Sequence, residues 1–343
     1  MVEYNGLAKA LHFLALGQQN IAKATLEIEL GTFGNRGSDV RNGEHIFVTG
    51  LARSGTTIVT RSLHDIGHFS SLTYKDMPFV LAPNYWSKLS KYSRRHTHKT
   101  ERAHRDRIYI DYDSPEAFDE VFWKTCLGEH YINSSSLTAH NCDPQVIEKF
   151  IKYVGLILHC YGNKRYLSKN NNNVLRITSL IKAFPNAFVI IPFREPLQQA
   201  ASLLNQHMNF LGLHQQEPFI KQYMDWLGHC EFGPGHKPFR LTEEPPKCTD
   251  ALSIEYWLEQ WFRTYQFLLC RYTEFPDRII LVCYEKLCND SKQQWNSLLQ
   301  QIGIKDRQKP PSFEAGEAFV TNTVQHDQLT RAKDLYSHLR SVS

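Results

Sequence analysis

Apolar residues recur along this chain at two spacings. Leu7, Leu11, Leu14, Ile21 and Leu26 fall on one face at helical spacing, which predicts an amphipathic helix over 7–29. A turn-rich linker carrying Gly31, Gly34, Asn35, Gly37 and Ser38 follows. Residues 45–49 form a short apolar run that reads as a buried strand, and a helical pattern then continues to about His64. Ser114-Pro115-Glu116 predicts a helix start, with a Ser cap, Pro at the first helical position and an acid near the positive end of the dipole. Asp143-Pro144 gives the same signal for a helix to Cys160, stopped by Gly162. Residues 174–177 and 187–193 predict strands, Pro196 opens a helix, 279–283 predicts a last strand and 292–302 a helix. No internal repeat is present. Strands that alternate with helices imply an α/β fold: a parallel sheet with helices on both faces, in a single large domain. The expected layout is an N-terminal helix and linker over 1–40 and the α/β domain over 41–343. That domain carries a basic insertion at 88–107 and an irregular Gly/Pro-rich loop at 228–250. A loop of that length in a compact domain is usually a functional lid or a disordered segment.

Composition narrows the picture in a few places. At 343 residues and 39.9 kDa the chain fits one large domain as well as two. A hydrophobic fraction of 42% with 22% charged residues excludes chain-wide disorder. A net charge of +4 is not that of a dedicated nucleic-acid binder. No run reaches the roughly 20 apolar residues of a membrane span, and the apolar stretch 11–16 lacks the basic flank and cleavage site of a secretory signal. The eight cysteines form no Cys-x-x-Cys pair and sit mostly in apolar patterns, so a reducing cytoplasm is the simplest compartment. The stretch 88–107 gathers Lys88, Lys91, Arg94, Arg95, Lys99, Arg102, Arg105 and Arg107 against Glu101 and Asp106. Such a field could steer an anionic acceptor such as an acidic glycan, or hold the protein peripherally at an anionic membrane surface. Tyr92 is the lone aromatic there, which argues against nucleic acid.

The strongest chemical signal is strand, Gly50-x4-Gly55-Thr56-Thr57, helix. Glycines let the backbone curl so that successive N–H groups face one centre, and the following helix adds unpaired N–H groups and its positive dipole end. Such a loop binds phosphate or sulfate. The ATP-binding version carries Lys after the second Gly; here that position is Thr56, and the cation is Arg53, inside the loop.

Gly50-Leu51-Ala52-Arg53-Ser54-Gly55-Thr56-Thr57 resembles the 5′-phosphosulfate loop of the PAPS-dependent sulfotransferases, in which Lys or Arg precedes Ser-Gly-Thr-Thr (PAPS is 3′-phosphoadenosine 5′-phosphosulfate). Phe193-Arg194-Glu195-Pro196, with Ser202 eight residues after the arginine, is similar to the family's 3′-phosphate segment. Ser168-Lys169-Asn170 resembles the Lys-Asn-Pro segment of the tyrosylprotein, carbohydrate and bacterial branches, although the Pro is replaced by an Asn run to Asn173. Tyr284-Glu285-Lys286-Leu287 resembles the Tyr-Glu-Asp-Leu segment after the last strand. Ile58 stands where the small-molecule cytosolic branch often has Trp, and Glu195 where Asp is usual.

The resemblance implies transfer of a sulfuryl group from PAPS to an acceptor hydroxyl or amine by in-line displacement, with adenosine 3′,5′-bisphosphate as product and no metal required. It implies donor contacts from Arg53, Ser54, Gly55, Thr56, Thr57, Arg194, Ser202 and Tyr284, and stabilisation of the reacting centre by Arg53 and Lys169. For the base it points to Asp76, which follows the first helix; Glu116 and Glu120 are the rivals. On this reading Asp76→Asn loses turnover and keeps donor binding. A carbohydrate hydroxyl, a peptide tyrosine, a lipid headgroup and a small alcohol all remain open as acceptor. An atypical P-loop kinase or ATPase and a non-catalytic nucleotide-binding module remain open as alternatives.

Overall fold

The computed structural model describes residues 6–34, 40–90, 100–101, 109–110, 113–162, 164–305, 310–314, 316 and 324–343. Five strands form one sheet: β1 (Ile46–Val48), β2 (Phe69–Ser70), β3 (Arg165–Lys169), β4 (Phe188–Phe193) and β5 (Ile279–Cys283), in the order β2-β3-β1-β4-β5 and parallel throughout. Every crossover therefore carries helix, as parallel pairing demands. Side chains alternate between two cores. Ile46, Val48 and Ile190 join Val59, Leu63 and Trp295 on one face, while Phe47, Val189 and Ile191 join Phe150, Val154 and Tyr265 on the other. A sheet covered on both faces needs near-continuous apolar strands, and Ile46-Phe47-Val48, wholly buried, is one.

The helices that matter for the site are α1 (Gln19–Phe33), α2 (Thr56–Asp65), α3 (Glu120–Tyr131), α4 (Pro144–Tyr161), α5 (Pro196–Gln216), α6 (Pro218–Leu227), α7 (Ile254–Glu274) and α8 (His326–Ser341). Their caps follow the sequence signals where the signals are local. Asp143 accepts from Gln145 N–H at 2.7 Å at the start of α4, and Gly162 ends it at φ 93°. Glu195 does the same for α5, accepting from Gln198 N–H at 2.7 Å, so Glu serves at that cap as Asp would.

Four expectations are corrected. Residues 174–177 are not a strand: Asn171–Arg176 is a 3-10 helix running into helix Ile177–Ala183, and the strand is the preceding Arg165–Lys169. That strand is buried from Tyr166 to Lys169 but carries half-buried Arg165 and buried Ser168 and Lys169, so an apolar pattern could not reveal it. Helix α3 starts at Glu120, not after Ser114, because Pro115 bridges to Thr73 and Glu116 N–H donates to Leu72 C=O, which holds this segment extended. The N-terminal helix is not continuous. Gly6–His12 passes into a π turn, Phe13–Gly17, and Gln18 breaks before α1, leaving Leu7, Leu14 and Ile21 exposed and Leu26 buried. The loop 228–250 is not wholly irregular, since Phe239–Arg240 pairs in parallel with Leu137–Thr138.

Pro192 lies one residue from the end of β4. It faces Val282 of β5, and β1 has already turned away into the glycine loop after Val48↔Ile190, so the missing N–H falls beyond the β1 ladder. Of the basic stretch 88–107, only residues 88–90 and the backbone of Thr100–Glu101, paired with Tyr109–Ile110, are described; Lys91, Arg94, Arg95, Lys99, Arg102, Arg105 and Arg107 lie outside the described residues. No helix among the described residues is long and apolar enough to cross a membrane.

Candidate active site

The C-terminal ends of β1, β3, β4 and β5 open on one cavity of about 490 Å³, the position where open α/β sheets bind ligands. β1 delivers the glycine loop. Gly50 (φ 142°), Arg53 (φ 65°) and Gly55 (φ 98°) all have positive φ, which curls the chain before α2. A Cβ on Gly55 would meet the Tyr284 ring at 2.6 Å, so only glycine fits beneath that ring without displacing it. Gly55 at the N-cap supplies no side-chain cap to α2, and the helix presents its first turn, Thr56 and Thr57, to the cavity.

Long-range side-chain contacts fix the loop. Arg53 Nε donates to Ser202 Oγ at 3.1 Å, and Thr56 Oγ1 donates to Asn171 Oδ1 at 3.4 Å. Gln199, fully buried on α5, is the hub between loop and sheet. Its Nε2 donates to Ala52 C=O at 2.9 Å, while its Oε1 accepts from Trp261 Nε1–H at 3.0 Å and from Arg194 N–H at 3.3 Å.

Arg194, at the end of β4, lines the same cavity. Its Nη2 donates to Gly316 C=O at 2.7 Å, and its guanidinium lies 5.5 Å from the Tyr284 ring centroid. Arg194 Nε is buried and makes no hydrogen bond among the described residues. The Tyr284 hydroxyl donates to Glu314 C=O at 3.2 Å. Ser202 is held by Arg53 rather than by Arg194 and does not line the cavity; Ser54 is buried beneath the loop.

Lys169, last residue of β3, pairs in register with Val48 and so emerges beside the loop. Its Nζ lies 2.6 Å from Glu116 Oε1, both residues are about 8% exposed, and both line the cavity. The asparagine run is buried: Asn170 N–H donates to Val48 C=O at 3.0 Å, and the Asn170 side chain caps the following 3-10 helix through Asn172 N–H.

Asp76 sits elsewhere. It is buried and does not line the cavity. Its Oδ2 accepts from Thr73 N–H at 2.8 Å and from the Tyr161 hydroxyl at 2.5 Å, in a capping box with Thr73. Burial pushes its carboxyl up to about 6, against the pull of these hydrogen bonds. Glu120 is fully buried and forms a forked ion pair with Arg176 at 3.0 and 3.2 Å, also accepting from Asn170. Burial alone would raise it, but the adjoining Arg176 guanidinium wins and holds it below the usual carboxylate range. Of the three acids considered for the base, Glu116 is the one that faces the cavity.

Sequence reasoning missed Gln199 and Asp119, and took Asn171 only as one member of the asparagine run. Asp119 is buried behind Lys169, where its carboxylate accepts from Ser168 Oγ at 2.6 Å and from the Tyr166 hydroxyl at 3.0 Å, and burial pushes it up to about 6. No local pattern marks these residues. The Thr73-x-x-Asp76 spacing, by contrast, is a capping-box signal that would have identified Asp76 as structural.

The family model described as "Sulfotransferase family" matches residues 45–236, more than half of the chain. The chain belongs to the sulfotransferase family. Among solved structures, this sulfotransferase chain is similar to the sulfotransferase STF1 from Mycobacterium tuberculosis H37Rv, at 13% identity and a TM-score of 0.52, over 98% of this chain and 85% of that one. The sulfotransferase STF9 from Mycobacterium avium aligns at 12% identity and a TM-score of 0.47, over 98% and 79% of the two chains. A search of curated proteins gives no match for this sulfotransferase. The shared fold is the parallel sheet flanked by helices described above. Among its described residues, no group of three or more His, Cys, Asp or Glu side chains converges to hold a metal ion.

Proposed function

We propose that this sulfotransferase uses PAPS as its donor and moves the sulfuryl group to an acceptor hydroxyl or amine by in-line displacement. The observation that carries the reading is that the glycine loop and Arg194 line one cavity, with Arg194 Nε buried and unpartnered among the described residues. On this reading the N–H groups around Gly55, Thr56 and Thr57, together with Arg53, would hold the 5′-phosphosulfate. Arg194 would take the 3′-phosphate, with Tyr284 packed against the loop between them. Ser202 would act by orienting the Arg53 guanidinium, and Ser54 by shaping the loop. PAPS, when bound, supplies the electrophilic sulfur and a bisphosphate leaving group.

The chain's own groups would do the rest. Glu116 would accept the acceptor's proton and take the base role in place of Asp76, which is buried away from the cavity with its Oδ2 accepting from Thr73 and Tyr161. Lys169, kept beside the loop by its strand and beside Glu116 by the ion pair, would offset the negative charge that develops on the leaving oxygen.

Calorimetric titration tests the donor reading. Adenosine 3′,5′-bisphosphate is expected to bind without magnesium and ATP to bind far more weakly, and labelled sulfate should then leave PAPS for an acceptor. Preference for magnesium-ATP would overturn the reading in favour of a P-loop kinase.

A further inference from the structure

The cavity has a second end, and its chemistry is the reverse of the first. Beyond the loop come Lys169 and Asn171, then Glu116 against Lys169, then Phe118 two residues on. From there the wall is apolar. Phe210 of α5 and Phe232 stack at 6.0 Å and 15°, and Ile220, Tyr223, Met224 and Leu227 of α6 complete it. Among the described residues, the acidic and imidazole side chains on this side are Glu116, Glu231 and His229, with Lys169 already paired to Glu116 and the hydroxyls of Tyr74 and Tyr223 also on the lining. An anionic acceptor would face two carboxylates there. A sugar would leave its several hydroxyls against rings and aliphatic carbon, where an unpaired hydroxyl costs about 1–3 kcal/mol.

The sulfotransferase builds α6 to present this wall. Pro218 starts the helix and Gly228 ends it at φ 78°. Its opposite side is braced by the N-terminal turn: Trp226 lies against Phe13 with ring centroids 6.0 Å apart, and the Trp226 indole would meet a Cβ on Gly17 at 3.0 Å. The N-terminal segment thus acts as a buttress for the apolar wall.

We propose that the acceptor of this sulfotransferase is a hydroxyl carried on an apolar, ring-bearing or alkyl body, which packs against Phe118, Phe210, Phe232 and Met224 while Glu116 meets its hydroxyl. The inference rests on the donor reading for the transfer step, but the apolar wall can be tested apart from it. In the step itself the acceptor oxygen forms a bond to sulfur, the bond from sulfur to the phosphate oxygen breaks, the electron pair leaves with the bisphosphate, and the hydroxyl proton passes to Glu116.

The experiment has three arms. Binding of 2-naphthol is followed by its own fluorescence, transfer of labelled sulfate from PAPS is compared for 2-naphthol, dodecan-1-ol in phosphatidylcholine vesicles and N-acetylglucosamine, and affinity for adenosine 3′,5′-bisphosphate is measured in parallel. We expect naphthol binding in the wild type and transfer to at least one of the two apolar acceptors in preference to the sugar. The naphthol and vesicle arms separate a free phenol from a lipid-borne alcohol. Met224→Glu is expected to weaken naphthol binding by about tenfold or more, a loss of apolar contact plus a buried charge, with bisphosphate affinity unchanged as the sign of an intact fold. Transfer to the sugar in preference to both apolar acceptors, no naphthol binding by the wild type, or naphthol binding by Met224→Glu within about twofold of it would overturn the acceptor proposal. Loss of bisphosphate binding in the wild type would instead overturn the donor reading, and naphthol binding would still decide the apolar wall.

Discussion

Glu116 and Asp76 show how one fold gives two carboxyls different surroundings. Asp76 accepts from a backbone N–H and a tyrosine hydroxyl, and burial keeps its carboxyl at about 6. Glu116 meets Lys169 on the cavity wall. We expect Glu116→Gln to lower kcat by about 10²–10⁴-fold with bisphosphate affinity kept, and Asp76→Asn to keep turnover near the parent level; steady-state kinetics with calorimetry checks both. The Asp76 variant carries a second signature. A folded value of about 6 against an ordinary 3.8 means that the folded state binds this proton more tightly than the unfolded state. Its contribution to stability is complete below about pH 4 and is lost as pH rises to about 6. Asp76→Asn removes that loss. Its stability relative to the parent should therefore climb across this window by up to roughly 3 kcal/mol, measured by urea unfolding at each pH. Buried His45 and half-buried His236, both pushed down to about 4, bend the parent's own curve the opposite way, so the variant-minus-parent difference is the quantity to follow.

At the scale of elements, the glycine loop owes its shape to a helix that follows much later in the chain. Gln199 ties Ala52, Arg194 and Trp261 together, so α5 and α7 hold both cavity-lining segments through one side chain. Gln199→Leu would strand a buried carbonyl and a buried indole N–H, each at about 1–3 kcal/mol. We expect weaker bisphosphate binding, by about tenfold, together with a lower urea midpoint; unchanged affinity in a destabilised variant would confine Gln199 to a packing role. The elements also show where pattern reading stops. The caps Asp143 and Glu195 and the stop at Gly162 act within one turn of helix, and the sequence displays them directly. β3 is a strand because β1 and β2 flank it, and its Ser168 and Lys169 are buried because Asp119 and Glu116 receive them. Nothing within residues 165–169 announces either partner. The extended course of residues 114–116 is likewise imposed by residues 72–74, which override a good local helix start.

Over the whole molecule, the site rests on a charged network sealed behind it. Arg176 and Glu120 are fully buried, and the guanidinium also lies 4.7 Å from the Trp123 ring and 4.8 Å from Tyr131. Arg176→Met leaves Glu120 buried without its cation, at a cost of roughly 3–5 kcal/mol, and we expect an urea midpoint lowered to match; the double variant Arg176→Met, Glu120→Gln should recover much of that loss. The sequence by itself determined the α/β architecture, the position of the glycine loop and the family resemblance carried by Arg53, Arg194 and Lys169. Those features depend on the period of apolar residues and on backbone chemistry acting over a few neighbours. The tertiary structure alone decided which acid looks into the cavity, that Ser202 serves Arg53, and that the far wall is apolar. Each of those facts is a contact between residues tens of positions apart, and a side chain's burial and charge state are set by what the rest of the fold brings against it.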